Sequence, residues 1–333
     1  MINFLIRRTM LAGLTTLAIS MFAFVAIQLP PGDFATTYVQ MLLGGGIFGG
    51  VETQDPAIEA QIRSDLGLDK PLVVQYLKWG WRVITLDFGN SIMHGEKITE
   101  VVGQRLLNTV LLALGTILFT WIMAIPIGIY SAVKHNSPGD YAVTFFGFLG
   151  LAIPDFLLAL SLMWIGFAYF DISVGGLYSS QYLDAGWSLD KVVDLLKHLW
   201  VPALVLGTAG TAGLIRVLRN NLLDELGKPY VVAARARGVP EWKMVFKYPV
   251  RIALNPFIST LGYLLPFMLS GSVIVSVVLS LPTLGPILLE SLLAEDMYLA
   301  ATIVLMMGML TVIGTLISDI LLVIFDPRIQ VQD

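Results

Sequence analysis

The stretch Tyr230–Pro256, YVVAARARGVPEWKMVFKYPVRIALNP, decides how the rest of the chain is interpreted. It lies in a basic segment, residues 216–251, that carries eight Lys or Arg and three acidic side chains between two apolar stretches. Pro229 suits the first turn of a helix, Gly238 the left-handed position after a helix, and Pro240 the start of a second helix. The pattern predicts two short helices joined by a glycine turn, which together form a knob on a more apolar body.

A basic loop that only touches anionic lipid would explain the charge of this segment, at about 1 kcal/mol for each basic residue. It would not explain the run AARARGVP at residues 233–240, with a helix on either side. A rigid projecting knob is suited to fit a groove on a partner protein.

The composition places most of the chain in lipid. The 333 residues are 56% hydrophobic and 13% charged, with a mean hydropathy of +0.79, whereas soluble domains average about 25% charged. The chain has no cysteine, which excludes disulfides, thiolate metal sites and cysteine nucleophiles. Its three histidines are scattered, so no metal site is predicted. No nucleic-acid partner is expected.

Six apolar stretches suit helices that cross about 30 Å of hydrocarbon. They are residues 10–29, 106–133, 141–170, 199–215, 256–280 and 298–324. The first is too long for the core of a secretory signal and no small-residue cleavage site follows it, so it should remain as an anchor. We therefore predict an all-α membrane protein with six transmembrane helices. Pro126, Pro154 and Pro266 lie within three of them, where proline can bend a helix.

The distribution of Lys and Arg predicts the orientation. With six spans, both termini share one side, and that side holds twelve of the 20 basic residues. Both termini are therefore expected to be cytoplasmic. The chain is predicted to have three parts. Residues 1–29 contain the first helix, and residues 30–105 form an extracytoplasmic segment. Residues 106–333 form a five-helix core that includes the loop 216–251.

The predicted extracytoplasmic segment has features of a small cap. A glycine-rich stretch, residues 43–51, precedes a stretch with helical periodicity, residues 56–66. Trp79, Trp81 and Phe88 suit a membrane interface. We expect short helices here, with one hairpin.

Two carboxylates, Asp155 and Asp319, fall inside predicted spans, where a charge is costly and should face protein or water. Asp155, next to Pro154, has two interpretations: it lines a transport pathway, or it is a hydrogen-bonded partner of a broken helix. Asp319 is interpreted as structural, paired with a basic residue of the loop 216–251.

Residues 230–238, YVVAARARG, resemble the cytoplasmic "EAA" loop of importer permeases of the ATP-binding cassette (ABC) family, in the version of the oligopeptide and dipeptide branch. Val232 stands where the motif has Glu, and Tyr248-Pro249 where the branch more often has His. The resemblance covers nearly the whole chain. Its other parts are residues 66–72, 75–76, 87–91, 105–109, 153–156, 281–285, Asp319 and 325–329.

The resemblance implies a type I importer (MetI-like) permease fold in the cytoplasmic (inner) membrane of a bacterium or archaeon. It implies a pore subunit that pairs with a second homologous permease subunit, two cytoplasmic ATPase subunits and an extracytoplasmic solute-binding protein. The imported solute would be an oligopeptide or dipeptide, with oligosaccharides or another small solute as alternatives. The resemblance leaves open whether the two permease subunits are different chains or two copies of this one.

The resemblance also places part of the knob in the ATPase cleft, with the arginines paired to acidic rims. The coupling residues it implies are Tyr230, Ala233, Ala234, Arg235, Ala236, Arg237, Gly238 and Glu241.

No phosphate-binding G-x-x-x-x-G-K-[S/T] loop occurs in the sequence, so the chain is expected to be no enzyme, with no catalytic residues and no cofactor of its own. ATP and Mg would be bound by the partner ATPases. The alternatives are a secondary transporter driven by an ion gradient, an intramembrane enzyme and a membrane scaffold. The first would usually show internal repeats, and we find no clear repeat; the second would need a nucleophile–base set or metal ligands, and no such motif is present. The sequence disfavours the scaffold only weakly.

Overall fold

The computed structural model describes residues 2–28, 64, 69–91, 93–172, 174–183, 185–258, 273–294 and 296–325. Several expectations fall outside the described residues. They are the glycine-rich stretch 43–51, nearly all of the periodic stretch 56–66, most of the fifth span with Pro266, and the C-terminal motif after residue 325.

The described residues form helices, turns and loops, with one isolated antiparallel bridge between Asn90 and Lys97. The expected hairpin stays a prediction, since most of residues 30–68 lie outside the described residues. The first six helices are α1 (Ile2–Gln28), α2 (Leu72–Ile84), α3 (Ile98–Val133), α4 (Pro138–Ala152), α5 (Asp155–Phe170) and α6 (Leu189–Leu226). Further helices along the chain are α7 (Pro229–Ala236), α8 (Glu241–Lys247), α9 (Pro249–Ala253), α10 (Leu284–Leu293) and α11 (Met297–Phe325).

Four of the described helices, α1, α3, α6 and α11, are long and apolar enough to cross a membrane. The predicted third span, 141–170, is not one helix, because α4 and α5 meet at a bend of 99°. Ile153, the residue before Pro154, has an extended backbone, as expected where a proline disfavours helical geometry in its predecessor. Counting the bent pair as one span gives five, against six predicted, and most of the predicted span 256–280 lies outside the described residues.

Helix α6 is much longer than the predicted span 199–215. The Ser188 hydroxyl caps its start by accepting a hydrogen bond from the Lys191 backbone N–H at 3.2 Å. Its other end continues through polar side chains to Gly227. The first eleven residues of the predicted loop 216–251 are therefore helical.

Helices α3 and α6 form the most extensive helix pair in the described structure and run in parallel, and α4 and α5 pack on α6. Glycines permit the close approach of α3 and α6: a Cβ added at Gly128 would lie 3.0 Å from Leu218 Cδ2, and one at Gly207 would lie 2.9 Å from Phe119 Cδ1. Helix α1 packs along α11, where a Cβ at Gly308 would lie 2.6 Å from Ile19 Cγ2. Small residues at such crossings are typical of membrane helix pairs.

Buried polar side chains hold the end of the bundle at which α3 and α6 both start, which we call the remote end. Asn108 Nδ2 donates to the Pro282 carbonyl at 2.9 Å, and Asn108 Oδ1 accepts from the Tyr178 hydroxyl at 3.0 Å. The Asp194 carboxylate accepts from the backbone N–H and the hydroxyl of Ser179, at 2.7 and 2.6 Å. These contacts tie the loop before α6 to α3 and to the loop before α10.

Lys191 lies in a cage at the same end, with only 2% of its surface exposed. Its Nζ donates to the Ala185 carbonyl at 2.6 Å and sits 4.9 Å from the ring centroid of Tyr178 and 5.4 Å from that of Trp187. Aromatic faces attract a cation, so the rings and the carbonyl together accommodate the buried ammonium.

Asp296, at the start of α11, is fully buried and accepts three hydrogen bonds. Its Oδ2 accepts from the Ser91 hydroxyl at 2.6 Å and the Met93 backbone N–H at 3.1 Å, and its Oδ1 accepts from the Leu299 backbone N–H at 3.2 Å. The carboxylate therefore joins the loop before α3 to α11.

The three aromatic residues expected at a membrane interface do not share one environment. Trp79 and Phe88 are buried in an apolar cluster with Phe24 of α1 and Leu299 of α11, whereas Trp81 is exposed. Trp79 and Phe88 therefore pack against α1 and α11, and their position at a membrane interface stays a prediction.

Candidate coupling knob

The knob, residues 227–253, consists of the short helices α7, α8 and α9. Helix α7 ends in a Schellman motif: the Val239 N–H donates to the Ala234 carbonyl at 3.3 Å, and the Gly238 N–H donates to the Arg235 carbonyl at 3.0 Å. Gly238 has φ of +73°, a conformation that costs glycine little. The predicted pair of helices around a left-handed glycine is confirmed, and Pro240 stands immediately before α8 as expected.

Apolar side chains anchor the knob to the bundle. Val231 of α7 and Met244 and Val245 of α8 are buried against Leu218 and Leu222 of α6. Each such side chain contributes about 1.5–3 kcal/mol when fully buried. We call this group the knob cluster. Its buried members are Ala124, Ile129, Ala132, Leu214, Leu218, Leu222, Val231, Met244, Val245, Val250, Ala253 and Phe257.

The outward face of the knob carries large apolar side chains. Val232 is 55% exposed, Trp242 is 71% exposed and Phe246 is 58% exposed. Exposed apolar groups gathered on one surface often mark an interaction site. The sequence analysis did not single out Trp242 and Phe246, although their separation of four residues, around the buried Met244 and Val245, indicates two faces of one helix.

Arg235 and Glu241 pair with each other across the two knob helices. Arg235 Nη2 donates to Glu241 Oε1 at 2.6 Å and Nε to Oε2 at 3.2 Å, a bidentate contact. The hydrogen bonds lower the pKa of Glu241 and raise the pKa of Arg235. The structure therefore gives Arg235 a partner within the chain.

The other predicted coupling residues lie on or beside α7. Burial, followed by a 2.6 Å hydrogen bond that its hydroxyl donates to Glu225 Oε2, raises the pKa of Tyr230 to about 12. Ala234 is half-buried, whereas Ala233, Ala236 and Arg237 are exposed. The eight predicted coupling residues thus share one compact element.

Pro154 and Asp155 lie elsewhere, at the bend between α4 and α5. Asp155 is the first residue of α5, where the free backbone N–H groups of a helix start favour a carboxylate. Among the described residues, no side chain or backbone group makes a hydrogen bond or ion pair with the Asp155 carboxylate. The structure does not bring this pair of residues to the knob.

Asp319 is paired with α1, not with the loop. Arg8 Nη1 lies 3.1 Å from Asp319 Oδ2. The expected partner from residues 216–251 is therefore wrong, because α11 packs along α1 and presents Asp319 to the start of that helix.

A second ion pair, which the sequence does not predict, joins Asp140 of α4 to Arg219 of α6. Arg219 Nε donates to Asp140 Oδ1 at 3.0 Å and Nη2 to Oδ2 at 2.9 Å. The Ser131 hydroxyl of α3 also donates to Oδ1, and the Asn136 N–H donates to Oδ2 at 2.9 Å. In the sequence, Arg219 is only one of the eight basic residues of the predicted loop 216–251, and nothing there distinguishes it from the others.

Comparison with known proteins places the chain in a family. Residues 124–331 match the model of the binding-protein-dependent transport system inner membrane component, and residues 1–113 match the model of the N-terminal part of such membrane components. The chain therefore belongs to the family of binding-protein-dependent transport system inner membrane components. The resemblance inferred from residues 230–238 is confirmed.

Two similar proteins match over nearly their whole length. The oligopeptide transport system permease protein AppB of Bacillus subtilis is 35% identical over 336 residues, covering 99% of this chain and 100% of AppB. The inner membrane ABC transporter permease protein YejB of Escherichia coli O157:H7 is 30% identical over 363 residues, covering 99% of each chain. The chain is thus a multi-pass inner membrane component of a transport system.

Proposed function

We propose that this chain is a pore-forming permease subunit of an ATP-driven importer that receives oligopeptides or dipeptides from a solute-binding protein. The knob carries the proposal, because buried side chains anchor it to α3 and α6 while an apolar face stays open for a partner. The 35% identity to a permease named for oligopeptide transport supports peptides as the solute.

The proposed assembly contains a second, homologous permease subunit, two cytoplasmic ATPase subunits that bind ATP and Mg, and an extracytoplasmic binding protein. The chain itself would have six membrane helices in a type I fold, cytoplasmic termini and no ATPase site. Its first helix would end near residue 29, residues 30–105 would lie outside, and residues 106–333 would form the core. The excess of Lys and Arg near the knob supports this orientation.

In the proposed mechanism, the ATPase cleft holds the knob through α7, Gly238 and the start of α8. Val232, Trp242 and Phe246 would provide the apolar contact. ATP-driven closure of the ATPases would displace the knob, and the knob cluster would pass this displacement to α3 and α6. The ATP sites of the ATPases and the membrane helices of this chain would then be coupled through the knob, which would have two arrangements.

A pull-down tests the assembly. The tagged chain would be purified in mild detergent and its partners identified by mass spectrometry. We expect a second six-helix chain and ATPase subunits. Recovery of ATPases with this chain as the sole permease would indicate a homodimer, whereas recovery of the chain without ATPases would overturn the proposal and favour a secondary transporter.

A variant at the knob tests the coupling role. Ala234→Arg places a long charged side chain at a half-buried position that packs against the knob cluster, and we expect it to abolish uptake while the amount of chain in the membrane stays unchanged. Lys134→Ala, at an exposed position just after α3 and outside the knob, is the control and should retain uptake. Normal uptake by Ala234→Arg at equal membrane level would remove the knob from the coupling mechanism.

Asp155, with Pro154 beside it, is the proposed pathway position. The Asp155→Asn variant should take up cationic peptides more slowly relative to neutral ones, because it removes a negative charge that attracts them. Asp171→Asn is the matched control, since Asp171 is an exposed carboxylate just after α5. Unchanged rate and specificity in Asp155→Asn would leave Asp155 with a structural role alone.

A further inference from the structure

The ion pair between Asp140 and Arg219 joins three helices at the knob end of the bundle. Asp140 has 2% of its side chain exposed and Arg219 has 24%. Ser131 donates to the same carboxylate, so α3, α4 and α6 meet at one side chain. Asp140 is the only buried residue of α4, all fifteen residues of which are described.

Elsewhere, small residues form part of the contact between α4 and α6. A Cβ at Gly147 would lie 3.9 Å from the Ala212 Cβ, and one at Gly150 would lie 2.8 Å from Thr208 Cγ2. Small residues of this kind let the two helices approach closely, but Gly147, Gly150 and Thr208 form no side-chain hydrogen bond across the contact. The Arg216 guanidinium of α6 also lies 5.8 Å from the ring centroid of Phe148 on α4, but both of these side chains are exposed. The bidentate ion pair is the buried directional contact between α4 and α6.

The same turn of α6 also holds the knob. Leu218 and Leu222 belong to the knob cluster, and Arg219, between them in the sequence, turns toward Asp140. A shift of this turn would therefore reach the knob through apolar side chains and α4 through the ion pair. Helix α4 leads directly to the 99° bend at Pro154 and Asp155.

We propose that Asp140 and Arg219 are positioning residues that transmit the displacement of the knob to the bent helix pair α4–α5. This inference rests on the proposed importer function. The ion pair does more than fill space, because α4 has no buried apolar side chain that could hold it on α6 instead. Without the pair, the knob and ATPases would still engage, but α4 and α5 would follow the knob poorly.

The test uses the whole importer in proteoliposomes, with both permease subunits, the ATPases, the binding protein and a pool of labelled pentapeptides. The double variant Asp140→Leu with Arg219→Met removes both charges, so no buried charge is left unpaired. We expect near-normal ATPase co-purification and basal ATP hydrolysis, with peptide uptake per ATP hydrolysed lowered by about tenfold.

Two further variants keep the test decisive. Lys197→Met, at an exposed position nearer the start of α6, should leave uptake per ATP unchanged. If the double variant fails to accumulate, Arg219→Lys decides, because it keeps the charge but loses the two-pronged contact and should lower uptake per ATP by a smaller factor.

Unchanged uptake per ATP in the variant that accumulates would overturn the inference. Loss of ATPase binding would also overturn it, because the ion pair would then be needed for the ATPases to dock. Failure of the unmodified chain to bind ATPases at all would overturn the proposed function instead.

Discussion

The two ends of α6 are held by different chemistry. At the remote end, buried hydrogen-bonding groups such as Asn108, Lys191 and Asp194 are paired with specific partners. At the knob end, apolar side chains anchor α7 and α8, and the Arg235–Glu241 pair lies on the surface, whereas the buried Asp140–Arg219 pair holds α4 and not the knob. Hydrogen bonds fix direction and distance, whereas apolar contact is non-directional. The remote end is therefore suited to stay in one arrangement, and the knob to move and to dock.

The largest effect is expected at Gly238. Proline at this position cannot adopt φ of +73° and removes the N–H that donates to Arg235, so the two knob helices would separate. Gly238→Pro should abolish uptake while the chain still inserts, as measured by transport and by membrane level. Gly238→Asn is the control, because Asn tolerates the left-handed region, and it should retain most of the uptake. Full uptake by the proline variant would show that the turn plays no part in docking.

The next effect is expected at the remote end, in stability. Asp296→Ala leaves three buried donors without their acceptor and should lower the free energy of unfolding by about 3 kcal/mol. Thermal unfolding in detergent, followed by tryptophan fluorescence, would measure the loss. Asp296→Asn keeps an acceptor and should lose less. Uptake per folded molecule should stay the same, and a selective loss of uptake would contradict the division between the two ends.

A smaller effect, confined to binding, is expected at Trp242. Loss of an exposed interface tryptophan costs about 2 kcal/mol of binding, so Trp242→Ala should weaken the affinity for the ATPases by about 30-fold. Its unfolding temperature should barely change, since the side chain is 71% exposed. Trp164→Ala, exposed on α5, is the matched control and should bind ATPases normally. Equal affinities would mean that the apolar face of the knob is not the docking surface.

The smallest effect is expected at the Arg235–Glu241 pair. Because the pKa of Glu241 is lowered, the contribution of the pair is present above the unfolded pKa of about 4.5 and is lost as the pH falls through the folded pKa. Glu241→Gln should change ATPase binding by less than about twofold at pH 7, as is usual for exposed pairs. Between pH 6 and 8, both the variant and the parent should show no pH dependence that arises from residue 241. A large change at pH 7 would assign the pair a direct role in docking.

Sequence predicts the knob better than it predicts the contacts around it. Pro229, Gly238 and Pro240 act on their own backbone, so their effect is visible without knowledge of the fold. Pro154 likewise marks a bend, but its angle of 99° depends on how α4 and α5 pack on α6.

The ion pairs show why the contacts between distant helices could not be predicted from the sequence. Asp319 pairs with Arg8, and Asp140 with Arg219, across long stretches of chain. Several basic residues were equally plausible partners, and only the packing of helices selects one. The aromatic residues of the knob carried a local signal, because Trp242 and Phe246 lie one helical turn apart on either side of buried neighbours.

The bend between α4 and α5 sets a length requirement for crossing a bilayer. At about 1.5 Å per residue, the two helices measure about 22 Å and 24 Å, so neither alone covers about 30 Å of hydrocarbon. With a bend of 99°, they reach that depth together only if each tilts by about 50° from the membrane normal. The pair then forms a wedge whose apex, at Pro154 and Asp155, lies near mid-depth and about 17 Å to one side of the two ends. A small change in the angle of such a wedge moves its apex sideways and changes the width of the space beside it.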